Sequence, residues 1–152
     1  MGTTEDIIAE LTVAYWMEFE TTQNYLANSI NLITVRAEEI KKSLAADLAG
    51  EFGHAQELAQ RIHVLGGTVP GSMAFKATQA ELQPGPNPAD VGVVIKGVIA
   101  AEEKAIAQYN KIIKLCDGVD YVTQDICVTL LADEESHRRE FLGYLAEYDT
   151  GS

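Results

Sequence analysis

Six side chains in this chain have the types and spacing of a metal centre. Asp133-Glu134-Glu135-Ser136-His137 sets Glu134 and His137 in a Glu-x-x-His spacing, and Glu51-Phe52-Gly53-His54 repeats it upstream. Residues three apart lie on one face of an α-helix, so each pair sends a carboxylate and an imidazole the same way. Two such pairs on two helices, joined by one carboxylate from each of two more, make the ligand set of a dinuclear site in a four-helix bundle. Glu18 and Glu102 are the acids that complete it. Oxygen-rich ligation with one imidazole per ion suits iron or manganese better than structural zinc, which prefers closed Cys/His sites. It also leaves positions open to dioxygen or peroxide.

The elements that must position these groups are legible as four helical seams. The first runs Ile7, Leu11, Ala14, Glu18, Thr22, Tyr25, Ser29, Leu32, in steps of three or four. Thr3 or Thr4 can cap it. Glu18 lies on the seam, whereas Glu20, about 200° further round, should face elsewhere. After a turn near residues 31–36 comes the second seam: Ile40, Leu44, Leu48, Glu51, Ala55, Leu58, Ile62, Leu65. His54 stands beside Glu51, and His63 falls on the opposite face as a surface histidine. Gly50 and Gly53 flank the pair at about 1 kcal/mol each against Ala in a helix interior. Either a bulky neighbour approaches closely there or the glycines are tolerated drift.

Gly66-Gly67 ends the second helix. The stretch from about 66 to 88 carries Pro70, Pro84, Pro86 and Pro88. It reads as a crossover running the length of the bundle, with room for a short helix from Ser72 to Leu82, and it makes helices two and three parallel. Asn87-Pro88-Ala89-Asp90 predicts a helix start, with Asn as cap and Pro at the first helical position. The third seam is Val91, Ile95, Val98, Glu102, Ala105, Tyr109, Ile112, Cys116 and selects Glu102 over Glu103. Asp117-Gly118 breaks that helix and Asp120 can cap the last. The fourth seam is Cys127, Leu130, Glu134, His137, Phe141, Tyr144, Tyr148. The reading is a single all-α domain over 1–152.

The two halves resemble each other. Glu18 precedes Tyr25, and Glu102 precedes Tyr109, by seven positions; Glu18 to Glu51 is 33 and Glu102 to Glu134 is 32. Tyr25 and Tyr109 either hydrogen-bond to the site carboxylates or are ordinary core tyrosines. Four carboxylates on apolar seams would repel one another if buried unpaired. Two divalent cations would neutralise them as a unit, and neutral imidazoles would add ligands without charge. Taken singly, either Glu-x-x-His pair could be a surface acid and histidine; both in seam register argue for an inward site.

A net charge of −12 excludes phosphate-driven binding of nucleic acid, and no basic tail offsets it. No apolar run approaches the roughly 20 residues of a membrane span. The acidic N-terminus lacks a signal-peptide pattern, so a cytoplasmic protein is expected. Cys116 and Cys127 lack metal-type spacing and sit on apolar stripes. They read as small buried hydrophobes, with a redox pair as the alternative.

At Glu18…Tyr25, Glu51-x-x-His54, Glu102-x-x-Ala105-Ile106-x-x-Tyr109 and Glu134-x-x-His137 the chain resembles the ferritin-like di-iron superfamily, above all bacterioferritins and the Dps-like mini-ferritins with the same type of site. The likeness spans helices one to four. It implies a ferritin-like four-helix bundle with two iron ions per subunit, manganese being the other candidate. Glu51 and Glu134 would bridge, Glu18 with His54 and Glu102 with His137 would be terminal ligands, and all six would be catalytic. It implies a ferroxidase that oxidises Fe(II) with dioxygen or hydrogen peroxide, stores iron in a homo-oligomeric cage and limits oxidative stress. Phe52 stands where bacterioferritins carry the haem-ligating Met, so haem is not expected. Only 15 residues follow His137, too few for the fifth helix of larger cages, which favours a smaller Dps-like shell. The alternatives are a non-storing di-metal enzyme, such as a rubrerythrin-like peroxidase or a manganese-catalase-like protein, and a structural bundle with a degenerate site. Ala105 stands where rubrerythrins often have a further Glu.

Overall fold

The computed structural model describes residues 2–150; Met1, part of the acidic N-terminal stretch, and residues 151–152 lie outside them. Four long helices follow one another: α1 (Thr4–Asn31), α2 (Glu38–Val64), α3 (Val91–Cys116) and α4 (Tyr121–Thr150). No strand occurs among the described residues. α1 starts on a capping box in which Thr3 Oγ1 accepts from Asp6 N and Thr3 N donates to the Asp6 carboxylate, both at 3.1 Å. α2 ends where Gly66 takes φ +88°, a left-handed conformation that a side chain would resist, and Gly67 N closes on Ile62 O at 2.9 Å. α3 begins three residues later than the sequence suggests. Asn87 Oδ1 accepts from Ala89 N, folding Asn87–Asp90 into a turn, and Asp90 becomes the cap, accepting from Val93 N at 3.2 Å.

The seams pack as two apolar clusters, one at each end of the bundle. One gathers Ile7, Leu11, Leu58, Ile62, Ile112 and Leu130 around Tyr109, with Cys116 and Cys127 inside it. The other gathers Leu32, Ile40, Leu44, Ile95, Val98 and Phe141 around Tyr25. Both cysteines are free and buried. Burial pushes Cys116 up to about 11 and Cys127 to about 12, so they pack as protonated thiols. Between the two clusters lies a layer of buried carboxylates.

The crossover contains two 3-10 turns, Ser72–Ala74 and Ala80–Leu82, rather than one short helix. It ends beside the α1–α2 turn, where Ile33 N donates to Pro88 O at 3.0 Å, so α2 and α3 start at the same end of the bundle. Its backbone donors and acceptors need partners. A polar stripe on α1 supplies them. Glu20 accepts from Thr78 N at 3.0 Å and Gln79 N at 2.8 Å; Asn24 and Thr21 bracket the Gln79 amide; Asn28 donates to Leu82 O at 2.9 Å. Glu20 does face away from the Glu18 seam, but it is 5% exposed, not a surface acid. Both of its oxygens are occupied by the crossover.

The close approach expected at Gly50 and Gly53 occurs elsewhere. A Cβ at either would meet nothing within 4 Å, whereas one at Gly97 would lie 2.4 Å from Glu81 O in the crossover. Gly97 is the point where α3 admits the 3-10 turn.

Two changes should therefore uncouple the crossover. Gly97→Ala should destabilise the fold by about 1–3 kcal/mol through overpacking, while Gly143→Ala, with open space at its Cβ, should be neutral or stabilising by up to about 1 kcal/mol. Glu20→Ala should cost about 1–3 kcal/mol by leaving buried amides unpaired. Urea unfolding of the three variants measures this; a Gly97→Ala protein as stable as the parent would contradict the packing described.

Candidate metal centre

Each helix contributes its seam acid to the central layer. Glu18, Glu51, Glu102 and Glu134 are 1–2% exposed, and His54 is 7% exposed. Ligand atoms of Glu18, Glu51, His54 and Glu134 lie within 4.8 Å of one another, and so do those of Glu51, Glu102, Glu134 and His137. The two groups share Glu51 and Glu134. All six sequence-selected residues are thus brought together, and Glu103 and His63 are left exposed outside.

The layer is built on a local two-fold relation between the halves. His54 Nδ1 lies 3.0 Å from Glu134 Oε1 and 3.5 Å from Glu18 Oε2. His137 Nδ1 lies 3.2 Å from Glu51 Oε1 and 3.8 Å from Glu102 Oε1. Tyr25 crosses to donate to Glu102 Oε1, and Tyr109 crosses to Glu18 Oε1, each at 2.6 Å. The tyrosines thus take the hydrogen-bonding alternative. Burial, then the site carboxylates, raise both phenols well above their ordinary value, so they remain donors.

These groups could hold a pair of metal ions because their inward atoms face only one another. Glu18 Oε2, both oxygens of Glu51, His54 Nδ1, Glu102 Oε2, Glu134 Oε1 and His137 Nδ1 are buried without a hydrogen bond. A protein rarely leaves so many polar atoms unsatisfied at one place. Their chemistry is that of a carboxylate-rich site for a hard-to-borderline cation.

Protons and cations compete for the same atoms. Burial raises Glu51 and Glu134 well above the usual carboxylate value, and the charge of Glu18 raises them further. Burial also raises Glu102, outweighing its contacts with Glu134, Tyr25 and His137. Burial disfavours a charged His54, but Glu134 and Glu18 outweigh it and raise the imidazole to about 11. Burial pushes Glu18 up, yet contacts with Glu51, His54 and Tyr109 hold it below its ordinary value.

Sequence reasoning missed Asp133. Its carboxylate lies 2.9 Å from His54 Nε2, the ring nitrogen facing away from the site. A carboxylate there orients the ring and holds the proton on Nε2, so that Nδ1 would face the site with a lone pair once a cation displaces its proton. The available signal was an acid immediately before Glu134, with Gly50 in the matching place before Glu51.

Helix order, long crossover and paired Glu-x-x-His groups define a four-helix bundle with a candidate dinuclear carboxylate–histidine centre. Residues 8–150 match the Ferritin family, described as a ferritin-like domain, and the chain belongs to it. No curated protein sequence matches. Among solved structures, a ferritin-like di-iron carboxylate protein from Bacillus anthracis str. Ames is similar at 23% identity and TM-score 0.80, over 95% of this chain and 99% of that one. A dodecameric thioferritin, the bacterioferritin-related protein from Bacteroides fragilis, is similar at 22% and 0.85, over 98% and 89%. Bacterioferritin from Rhodobacter capsulatus, described with a metal-free dinuclear site and haem iron, is similar at 22% and 0.79, over 99% and 89%. At these identities the neighbours speak for the fold.

Divalent metal should stabilise the protein in a pH-dependent way. The raised carboxylates stabilise the protonated site fully below their unfolded value of 4.5, and that contribution is lost as pH rises toward their folded values. Cations then take the place of the protons. The rise in Tm with Mn(II), measured against a chelated control, should grow between about pH 5 and pH 8. A rise that is absent, or equal at both ends of the range, would sink the charge-compensation argument.

Proposed function

We propose that this chain is a ferroxidase that takes Fe(II) as substrate, oxidises it in pairs with dioxygen or hydrogen peroxide, and keeps the product in a hollow homo-oligomer. The carrying observation is the convergence of unpartnered buried ligand atoms into two groups that share Glu51 and Glu134. In this reading Glu51 and Glu134 would be shared by the two ions, Glu18 with His54 and Glu102 with His137 would complete the two sites, and four carboxylates would balance two dications. Iron as substrate would supply the redox chemistry: two Fe(II) give up two electrons, which with two protons would take hydrogen peroxide to two waters, or dioxygen to hydrogen peroxide. The chain's own residues do the rest. Tyr25 and Tyr109 hold the terminal carboxylates in place, Asp133 orients His54, and the apolar clusters keep water from both ends of the layer. Manganese would satisfy the same donors.

Assembly is supported by an uncovered apolar face. Trp16, Phe19, Phe52 and Phe75 line a groove of about 710 Å³ between α1, α2 and the start of the crossover, with Leu26 and Phe52 half-exposed. Copies of the chain would cover it, and the Bacteroides neighbour is described as a dodecamer. Phe52 packs edge-on to Phe19 and offers no atom to ligate haem iron. No helix of the described residues is long and apolar enough to cross a membrane; we place the protein in the cytoplasm.

Stopped-flow oxidation of Fe(II) tests the reading. About two Fe(II) per chain should bind anaerobically and oxidise rapidly on adding oxidant. Glu51→Ala and Glu134→Ala should abolish the fast phase by removing a shared ligand, and Glu103→Ala should leave it unchanged. The reverse ranking, or no iron bound at saturation, would overturn the assignment. Light scattering decides storage: a many-subunit shell supports it, whereas a dimer would point to a non-storing di-metal oxidoreductase.

A further inference from the structure

α1 carries a second stripe besides its inward seam. Trp16, Phe19, Gln23, Leu26, Ile30 and Ile33 recur in steps of three or four, apolar except at Gln23, with Ile33 just beyond the helix end. Leu26, Ile30 and Ile33 are half-exposed or more, so nothing among the described residues covers that end of the stripe. Beside it α2 presents Ala45, Ala49 and Phe52, all exposed. The crossover borders the groove through Phe75, whose ring centre lies 5.2 Å from that of Trp16. Single exposed apolar residues are ordinary, but a continuous stripe marks a contact surface. Among the described residues no charged side chain lines the groove, in a chain of net charge −12. Copies with that charge repel one another over most of their surface, and here they can meet without bringing like charges together. At the rim of the groove the 3-10 turn Ser72–Ala74 holds Met73 99% exposed.

We propose that a second copy docks on this face about a two-fold axis, each copy's Met73 entering the other's groove. This rests on the homo-oligomer proposed above and assigns the contact within it. A projecting side chain next to a hollow on one face is the pattern of an isologous interface, because a two-fold axis passing between them seats both at once. An unbranched thioether suits an aromatic-lined groove: its rotatable bonds adapt to the space, and sulfur packs favourably against ring edges. α1 and α2 flank the face over 28 and 27 residues. At 1.5 Å per residue that is roughly 40 Å, long enough to bury the roughly 800 Å² per partner of a stable pair. The contact also bears on the centre. Phe19 and Phe52 follow Glu18 and Glu51 in sequence, meet edge to face at 5.9 Å and line the groove. A docked copy therefore lays apolar surface over the side wall of the carboxylate layer, as the two clusters do at its ends.

Trp16 is the chain's single tryptophan and lines the groove, so its emission reports whether the groove is covered. Dilution in sub-denaturing urea, followed in parallel by sedimentation velocity and fluorescence, should shift that emission to the red as the copies part. Met73→Asp should raise the dissociation constant at least about 10-fold by placing a charge in an apolar anchor site. It should also show the red-shifted emission at concentrations where the parent is paired, whereas Met73→Leu should stay paired. Met73 is exposed enough that neither substitution threatens the fold, which far-UV circular dichroism checks. An assembly whose dissociation leaves Trp16 emission unmoved, or one that forms equally well with Met73→Asp, would mean that the copies meet elsewhere. This contact would then fall while the homo-oligomer stands. A parent chain that is monomeric at every concentration would overturn both, and the dinuclear centre would still be tested by its own iron titration.

Discussion

Negative charge in a dry interior is the constraint from which the rest of this structure follows. Four carboxylates 1–2% exposed sit between two apolar clusters. Water cannot solvate them, and their mutual repulsion is weakly screened there. Positive charge must come from somewhere: protons, which the raised Glu51, Glu134 and His54 attract, or cations. The apolar ends strengthen every interaction in the layer and make it selective for whatever can replace a proton with more charge.

Burial alone does not mark a functional acid, as Glu18 and Glu20 show. They stand two residues apart on α1, 2% and 5% exposed. Glu20 spends both oxygens on amides of the crossover. Glu18 receives one phenol and keeps Oε2 without a partner, aimed at the other site residues. The difference lies in the hydrogen-bond accounting. One carboxylate is a finished structural joint, and the other still has a valence to offer.

The same accounting explains how the halves stay in register. Tyr25 leaves one apolar cluster and Tyr109 the other, and each reaches the carboxylate of the opposite half. A slip of one helix hairpin against the other would break both bonds and strand two buried hydroxyls and two acids. Fixing the fold and shaping the centre are thus one set of contacts. The relation lapses at Asp133, which pairs with His54, because Gly50 stands at the matching position of the other half.

The sequence by itself determined the helices and the six inward residues, because a step of three or four residues is dictated by helical geometry and the acids fall on apolar seams. It selected Glu18 over Glu20 and Glu102 over Glu103 on that ground, and it counted the halves. It did not reveal the start of α3 at Val91 behind an Asp90 cap, where a local Asn87 turn outcompeted a Pro-initiated helix, nor the two 3-10 turns of the crossover in place of a short helix. Those outcomes rest on backbone groups finding partners that are distant in sequence. The polar stripe Thr21-Asn24-Asn28 carried a signal for the crossover at helical spacing, yet what it would bind was not written there. Only tertiary structure decided that Glu20 is buried, that Gly97 admits the Glu81 carbonyl and Gly50 admits nothing, and that Asp133 supports one histidine of the pair. Each is a contact between segments far apart along the chain, and spacing within a helix is blind to what lies across from it.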